Sequence, residues 1–292
     1  MRIGLFTGAG SVDELVADTK EAHAAGFGSM WVPQIFGIDA ITGLAVAAHE
    51  VPGIRLGTAV IPTYPRHPSA LAAQARTLQQ VSGGRFTLGI GLSHQIVIES
   101  MFGMKWGEVR HLREYLSILM PLARGEGVSF EGETLTGKVG LTIEAEPVPV
   151  LVAALGPKML KLAGSMTEGT VTWMTGPETI RSHVSPSIRA AADEAGRPEP
   201  QCVMALPTCV TDDVAGAKER AANAFSIYGQ LPSYRAMLDR EGAEGPADVA
   251  IIGSADEVKE RIAATFDAGA TEFVAVPFHE RDATLATVAE LL

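Results

Sequence analysis

The sequence predicts an α/β protein, a (β/α)8 TIM barrel with short insertions, and three observations carry that expectation. Short apolar runs rich in β-branched residues alternate with amphipathic helical segments along the whole 292-residue chain, the pattern of a parallel sheet covered by helices. Eight strands can be counted, which suits a closed barrel better than an open sheet. The turns that end these runs are rich in glycine, proline and polar residues, and strand C-termini are where such folds bind ligands.

The first strand is Arg2–Phe6, stopped by Thr7-Gly8-Ala9-Gly10. Ser11 and Glu14 form a capping-box pattern ahead of a helix from Val12 to Ala25, which Gly26 closes. Ser29–Val32 is the second strand, ended by Pro33, and Ile41–His49 a short apolar helix. Arg55–Val60 is the third strand; a helix over Ser69–Val81 stops at Ser82-Gly83-Gly84. Phe86–Gly91 is the fourth, followed by a loop and a helix from about Val109 to Arg124. The alternation and turn residues of VSFEGETLTG predict a hairpin insertion over residues 128–141. Val148–Ala153 and Gly169–Trp173 are the fifth and sixth strands, with helices over Lys158–Met166 and Pro177–Ala195. Gln201–Val210 is the seventh, with a helix over Asp212–Ile227. Residues 228–248 read as polar and irregular, the segment best suited to a mobile lid. Ser254 and Glu257 cap another helix, Glu272–Val276 is the eighth strand, and a helix closes the chain.

Hydrophobic residues make up 47% of the sequence and no composition break divides it, so residues 1–292 read as one domain. A net charge of −11 argues against a nucleic-acid partner. Cys202 and Cys209 share one strand-like segment and read as reduced core thiols, and the seven histidines are scattered, so no metal site is expected. MRIGLFTGAG reads as a strand rather than a signal peptide. No run approaches the roughly 18 apolar residues that span a bilayer. The expectation is a cytoplasmic protein, without a membrane partner, acting on a small-molecule substrate.

Three turns hold the residue types that bind ligands. LGIGLSH (Leu88–His94) brings Gly89 and Gly91 to a strand end, where backbone can approach a ligand; a tight barrel corner explains them equally well. ALGPKM joins a Gly156-Pro157 turn to a helix opened by Lys158, a pattern for phosphate that also fits an ordinary turn with a solvated lysine. GTAVIPTYPRHP (Gly57–Pro68) is a stiff loop suited to wall a cofactor ring; its Arg66 and His67 read first as a solvated tip. His94 is the titratable group best placed to give a proton near neutral pH, with Tyr64 second. Trp173 reads as core or pocket wall.

Taken together and in this order, SMWVPQ, IRLGTAV followed by proline and HP, SGGRFTLGIGLSH, and VPVLVAALGPKMLKLAGSMTEGTVTW resemble the bacterial luciferase-like superfamily. More closely they resemble its branch that uses the deazaflavin coenzyme F420. The resemblance spans Ile3 to Val276. It implies a (β/α)8 barrel with the cofactor ring across the strand C-termini, backed by a non-prolyl cis peptide at Ala59–Val60. It assigns cofactor contacts to Gly91, Ser93, His94, Ala153, Ala154, Leu155, Gly156, Pro157 and Lys158, and places Trp173 and Thr175 against the tail or substrate. Gln34 falls at the same rim and is counted among the cofactor contacts. There Gln34-Ile35 replaces an Asp-His pair of the sugar-phosphate dehydrogenases in this branch, and His94 stands where those enzymes have a carboxylic acid. The resemblance therefore implies hydride transfer between coenzyme F420 and a small organic substrate, by reduction of an activated double bond rather than sugar oxidation. FMN-dependent monooxygenase chemistry is the alternative, because both cofactors share the ring site. A homodimer is implied as well, and the apolar Ala40–Ala48 helix suits a subunit contact.

Overall fold

The computed structural model describes every residue except Glu108. Eight parallel strands form its barrel: β1 (Ile3–Phe6), β2 (Ser29–Val32), β3 (Arg55–Thr58), β4 (Phe86–Gly91), β5 (Val150–Val152), β6 (Gly169–Trp173), β7 (Gln201–Val210) and β8 (Glu272–Pro277). Each pairs with the next, and the ring closes where β8 meets β1 with Phe273 opposite Ile3. A further short strand, Ile251–Gly253, extends the sheet along the end of β7.

The helices that cover the barrel begin where their caps are. α1 (Val12–Ala24) starts at Ser11, whose hydroxyl accepts from the Glu14 N–H at 3.1 Å. The Glu14 carboxylate reaches back to the Gly10 N–H (2.7 Å) rather than to Ser11 itself. α2 (Ala40–Glu50) starts at Asp39, which accepts from Thr42. α3 (Pro68–Ser82) ends at Gly83 in the left-handed conformation, φ 62°. α4 (Val109–Ala123), α5 (Pro157–Met166), α6 (Ser185–Glu194), α7 (Val214–Ala224), α8 (Pro232–Glu241), α9 (Ala255–Asp267) and α10 (Arg281–Ala289) complete the set, with shorter helical turns between them. Among the described residues no helix is long and apolar enough to cross a membrane.

Inward side chains fill the barrel in a layer of Trp31, Leu151, Val171, Val203, Ala205, Val274 and Val276. The larger core lies between strands and helices. Below the inner layer, at the N-terminal end, Glu272 is 2% exposed. It accepts from the Ser29 hydroxyl, from Trp31 Nε1 at 3.0 Å and from the Arg55 guanidinium at 3.1 Å.

Three expectations are corrected here. β3 stops at Thr58, and Ile61–Pro62 resumes as a bridge to β4, because the backbone breaks pattern at Ala59–Val60. Residues 228–248 are mostly helical: α8 starts at Pro232 and ends at a left-handed Gly242, φ 72°. Only Met237 and Leu238 of α8 are buried, so its sequence carries almost no apolar period. A π-helical turn, Val97–Met101, lies in what reads as plain loop. Val128–Glu131 runs antiparallel to Thr136–Val139 as a two-stranded hairpin. Glu114 of α4 ties its turn, accepting from the backbone N–H groups of Glu133, Thr134 and Leu135 and from the Thr134 hydroxyl.

Candidate active site

At the C-terminal end of the barrel, small residues form a floor. Ala59, Val60 and Ala153 are half-buried and pack on the inner layer. The Ala59–Val60 peptide bond is cis. A Cβ on Gly91 would lie 2.8 Å from Val60 Cγ2 and 3.4 Å from Ala153 Cβ, and one on Gly89 would lie 1.9 Å from the Thr58 carbonyl oxygen. Gly89 therefore permits a backbone approach that no side chain allows, and Gly91 leaves room for the Val60 and Ala153 side chains. The floor is apolar.

Aromatic rings stand around this floor as a continuous chain. Phe6 at the end of β1 stacks with Trp173 at the end of β6, 6.4 Å between centroids. Trp173 meets Tyr228 edge-on at 5.8 Å, Tyr228 meets Tyr234 of α8 at 5.0 Å, and Tyr234 lies 5.9 Å from His94 beyond β4. Phe225 and Phe278 extend the group outward from Trp173. The chain links the ends of β1, β6 and β4 through the α8 segment. The buried Trp173 indole N–H makes no well-formed hydrogen bond among the described residues, although Tyr228 stands beside it.

Three non-glycine residues at this end adopt positive φ: Ser93 (61°), just past β4, Met174 (51°), just past β6, and Glu280 (46°), past β8. That conformation costs roughly 1–2 kcal/mol per residue, and such residues cluster at ligand sites. Burial lowers the His94 pKa below its ordinary value, so the ring is uncharged at neutral pH. Burial raises the pKa of Tyr234, and the adjacent Tyr228 adds to it.

The sequence candidates divide between those at the rim and those beneath it. His94, Ser93, Ala59, Val60, Ala153, Leu155, Gly156 and Trp173 are half-buried at strand ends, and Pro157 and Lys158 are exposed at the start of α5. Gly91 and Ala154 are buried in the floor and its support. The Gln34 side-chain oxygen accepts from the Ala40 N–H at 2.8 Å, so it anchors α2 while remaining partly exposed. Tyr64 does not offer its hydroxyl as a proton donor. The ring is 7% exposed and sandwiched between His111 (4.1 Å) and Trp106 (5.4 Å), and the hydroxyl exchanges hydrogen bonds with the Gly107 carbonyl and N–H. Thr175 is also corrected: it is fully buried, and its hydroxyl donates to the Trp173 carbonyl at 3.1 Å. It shapes the turn and touches no open space.

Sequence reasoning missed Tyr228, Tyr234, Phe6 and His183. His183 Nε2 lies 2.9 Å from the Leu155 carbonyl and so fixes the loop that leads into α5. Arg66 pairs with Asp39, and His67 caps α3. Among the described residues no cluster of three or more His, Cys, Asp or Glu side chains is arranged to hold a metal.

The family model for luciferase-like monooxygenases matches residues 1–272. The chain belongs to the luciferase-like monooxygenase family. This luciferase-like chain is 31% identical over 243 residues to a 5,10-methylenetetrahydromethanopterin reductase from Methanolobus tindarius, a match covering 81% of this chain and 73% of the relative. Its fold superposes with TM-score 0.85 on the coenzyme F420 dependent tetrahydromethanopterin reductase from Methanopyrus kandleri, at 21% identity over 99% of this chain and 97% of that one. The oxygenating constituent of 3,6-diketocamphane monooxygenase from Pseudomonas putida, solved with FMN, superposes with TM-score 0.78 at 18% identity, over 99% of this chain and 97% of that one.

Proposed function

We propose that the chain is an oxidoreductase that moves a hydride between the deazaflavin coenzyme F420 and a small organic substrate, reducing an activated C=C, C=N or C=O bond. The observation that carries this reading is the apolar floor of Ala59, Val60, Gly91 and Ala153 at the strand ends, with the aromatic chain from Trp173 to His94 beside it. This apolar and aromatic lining suits a planar tricyclic ring. The F420-dependent structure from Methanopyrus kandleri supports the deazaflavin, and the relative from Methanolobus tindarius supports a reductase.

When bound, the coenzyme supplies a carbon that gives or takes a hydride and reacts poorly with oxygen. The protein's part is placement. Ala59 and Val60 back the ring. Gly91 and Ser93 let the backbone after β4 come close to it. Leu155, Gly156 and the first N–H groups of α5 receive the phosphate, aided by Lys158. Trp173, Tyr228 and Tyr234 exclude water from the face where substrate docks. His94 enters the reaction uncharged and donates an N–H hydrogen bond to the substrate atom that gains negative charge, and solvent delivers the proton that completes the reduction. The FMN-bound relative from Pseudomonas putida keeps a second reading open, in which the same site takes FMN for oxygen insertion.

The test is a pair of titrations with F420 and with FMN, followed by turnover. Tight F420 binding and substrate-dependent change in deazaflavin absorbance are expected. Tight FMN binding with none of F420, and oxygen consumption beside a flavin reductase, overturn the proposal. We also propose a homodimer formed on the α2 side, where Val46 and, on α3, Val81 are exposed; light scattering that finds only monomer at micromolar concentration refutes it.

A further inference from the structure

A groove of about 460 Å³ lies outside the barrel between α4 and α5. Both helices follow neighbouring strands, so both descend from the rim. Arg113 and Ser117 line the groove from α4 and Lys158, Lys161 and Ser165 from α5, over an apolar bed of Val109, Leu162 and Met166. Arg113 and Lys158 make no ion pair with a described residue, and Lys161 is shared with Glu194 at 2.9 Å. All three cations are exposed. They stand against a chain whose net charge is −11, so the groove is a local reversal of sign.

Spacing gives the groove a direction. Lys158 and Lys161 are one turn apart on α5, and Arg113 and Ser117 one turn apart on α4. From Lys158 to Ser165 the helix covers about 10 Å at 1.5 Å per residue. The upper end is the Gly156-Pro157 turn, where the cofactor's phosphate is placed above. A compact anion would need an enclosed site. This groove is open along its length, with charged and hydroxyl groups recurring every turn, which fits a chain bearing repeated carboxylates.

We propose that this groove holds the flexible oligoglutamate tail of the deazaflavin coenzyme, with Arg113 and Lys158 as its main charge partners and Lys161 as the third. The inference rests on the F420 reading. It adds a second binding region, on the outer wall of the barrel, to the ring site at the rim.

The experiment titrates the full-length chain with three deazaflavins: one lacking phosphate and tail, one with phosphate and no glutamate, and one with several glutamates. Fluorescence gives Kd at low and high salt, for wild type, Arg113→Glu and Arg113→Lys. Affinity is expected to rise several-fold when glutamates are present, with salt removing most of that gain. Arg113→Glu is expected to weaken the long-tailed form about fivefold while shifting the tail-less forms less than about twofold; Arg113→Lys restores most of the loss. Equal Kd for all tail lengths, or equal weakening of all three ligands by Arg113→Glu, overturns the groove assignment and leaves the ring site standing. If none of the three binds, the F420 reading itself fails and the groove assignment falls with it.

Discussion

At the N-terminal end of the barrel a buried carboxylate has its partners in place: Glu272 takes Ser29, Trp31 and Arg55. At the C-terminal end the chain does the reverse. There the floor is glycine and methyl groups, Ser93 and Met174 sit at positive φ, and the Trp173 N–H lacks a well-formed bond. The same eight strands carry both ends. The difference teaches that the irregularities at the open end are tolerated because the closed end and the core determine the fold without them.

The comparison breaks most readily at its closed end. Glu272→Ala leaves the Arg55 guanidinium and the Trp31 N–H without their acceptor, and is expected to cost about 3–5 kcal/mol. Urea unfolding reads that loss, while deazaflavin affinity of the folded protein stays within about twofold. A loss under about 0.5 kcal/mol would mean that the two ends do not differ as argued. His94→Ala is the matching change at the open end. Turnover is expected to fall about a hundredfold or more, with the thermal midpoint nearly unmoved.

The pH profile sharpens the same contrast. Burial depresses the His94 pKa below 6.5, so its contribution to stability is complete above 6.5 and lost as pH falls through the lower, folded value. Donation from the neutral ring leaves kcat flat upward from pH 6.5. A rate that declines as pH rises through a value below 6.5 would instead mark the charged ring as the donor.

Glu114 gives the intermediate case. Burial opposes its charge, but the Thr134 hydroxyl and the N–H groups of Thr134, Glu133 and Leu135 outweigh this and hold its pKa at about 2. The stability it supplies is full above the ordinary value of 4.5 and is lost as pH falls toward 2. Glu114→Gln should cost about 2 kcal/mol near neutrality and flatten the acid limb of the stability curve. The smallest effect belongs to Ser93→Gly, which relieves the left-handed residue and should raise stability by up to about 1 kcal/mol. Weaker cofactor binding in that variant would show that Ser93 is kept for its contacts.

Much of the barrel was legible because each strand is an apolar run ended by Gly, Pro or a polar turn. Ser11, Ser254, Gly26 and Gly83 announce helix ends through local chemistry alone. The close approach at Gly89 and Gly91 could be read from one short segment, whereas Ala59, Val60 and Ala153 entered only through the family resemblance. The aromatic chain was not legible. Phe6, His94, Trp173, Tyr228 and Tyr234 come from distant parts of the chain, and only closure of the ring brings them together. Tyr64 misled for the converse reason: a tyrosine in a proline-rich loop reads as exposed, and its partners His111, Trp106 and Gly107 lie over forty residues away.

The α8 segment contributes Tyr228 and Tyr234 to the rim, and the Glu241 carboxylate fastens it by accepting from the N–H groups of Glu178 and Thr179. None of the eight barrel strands passes through it. Residues 225–249 thus behave as an exchangeable visor: evolution or an engineer can reshape what the enzyme admits by replacing that one stretch, and the scaffold that holds the redox partner need not change.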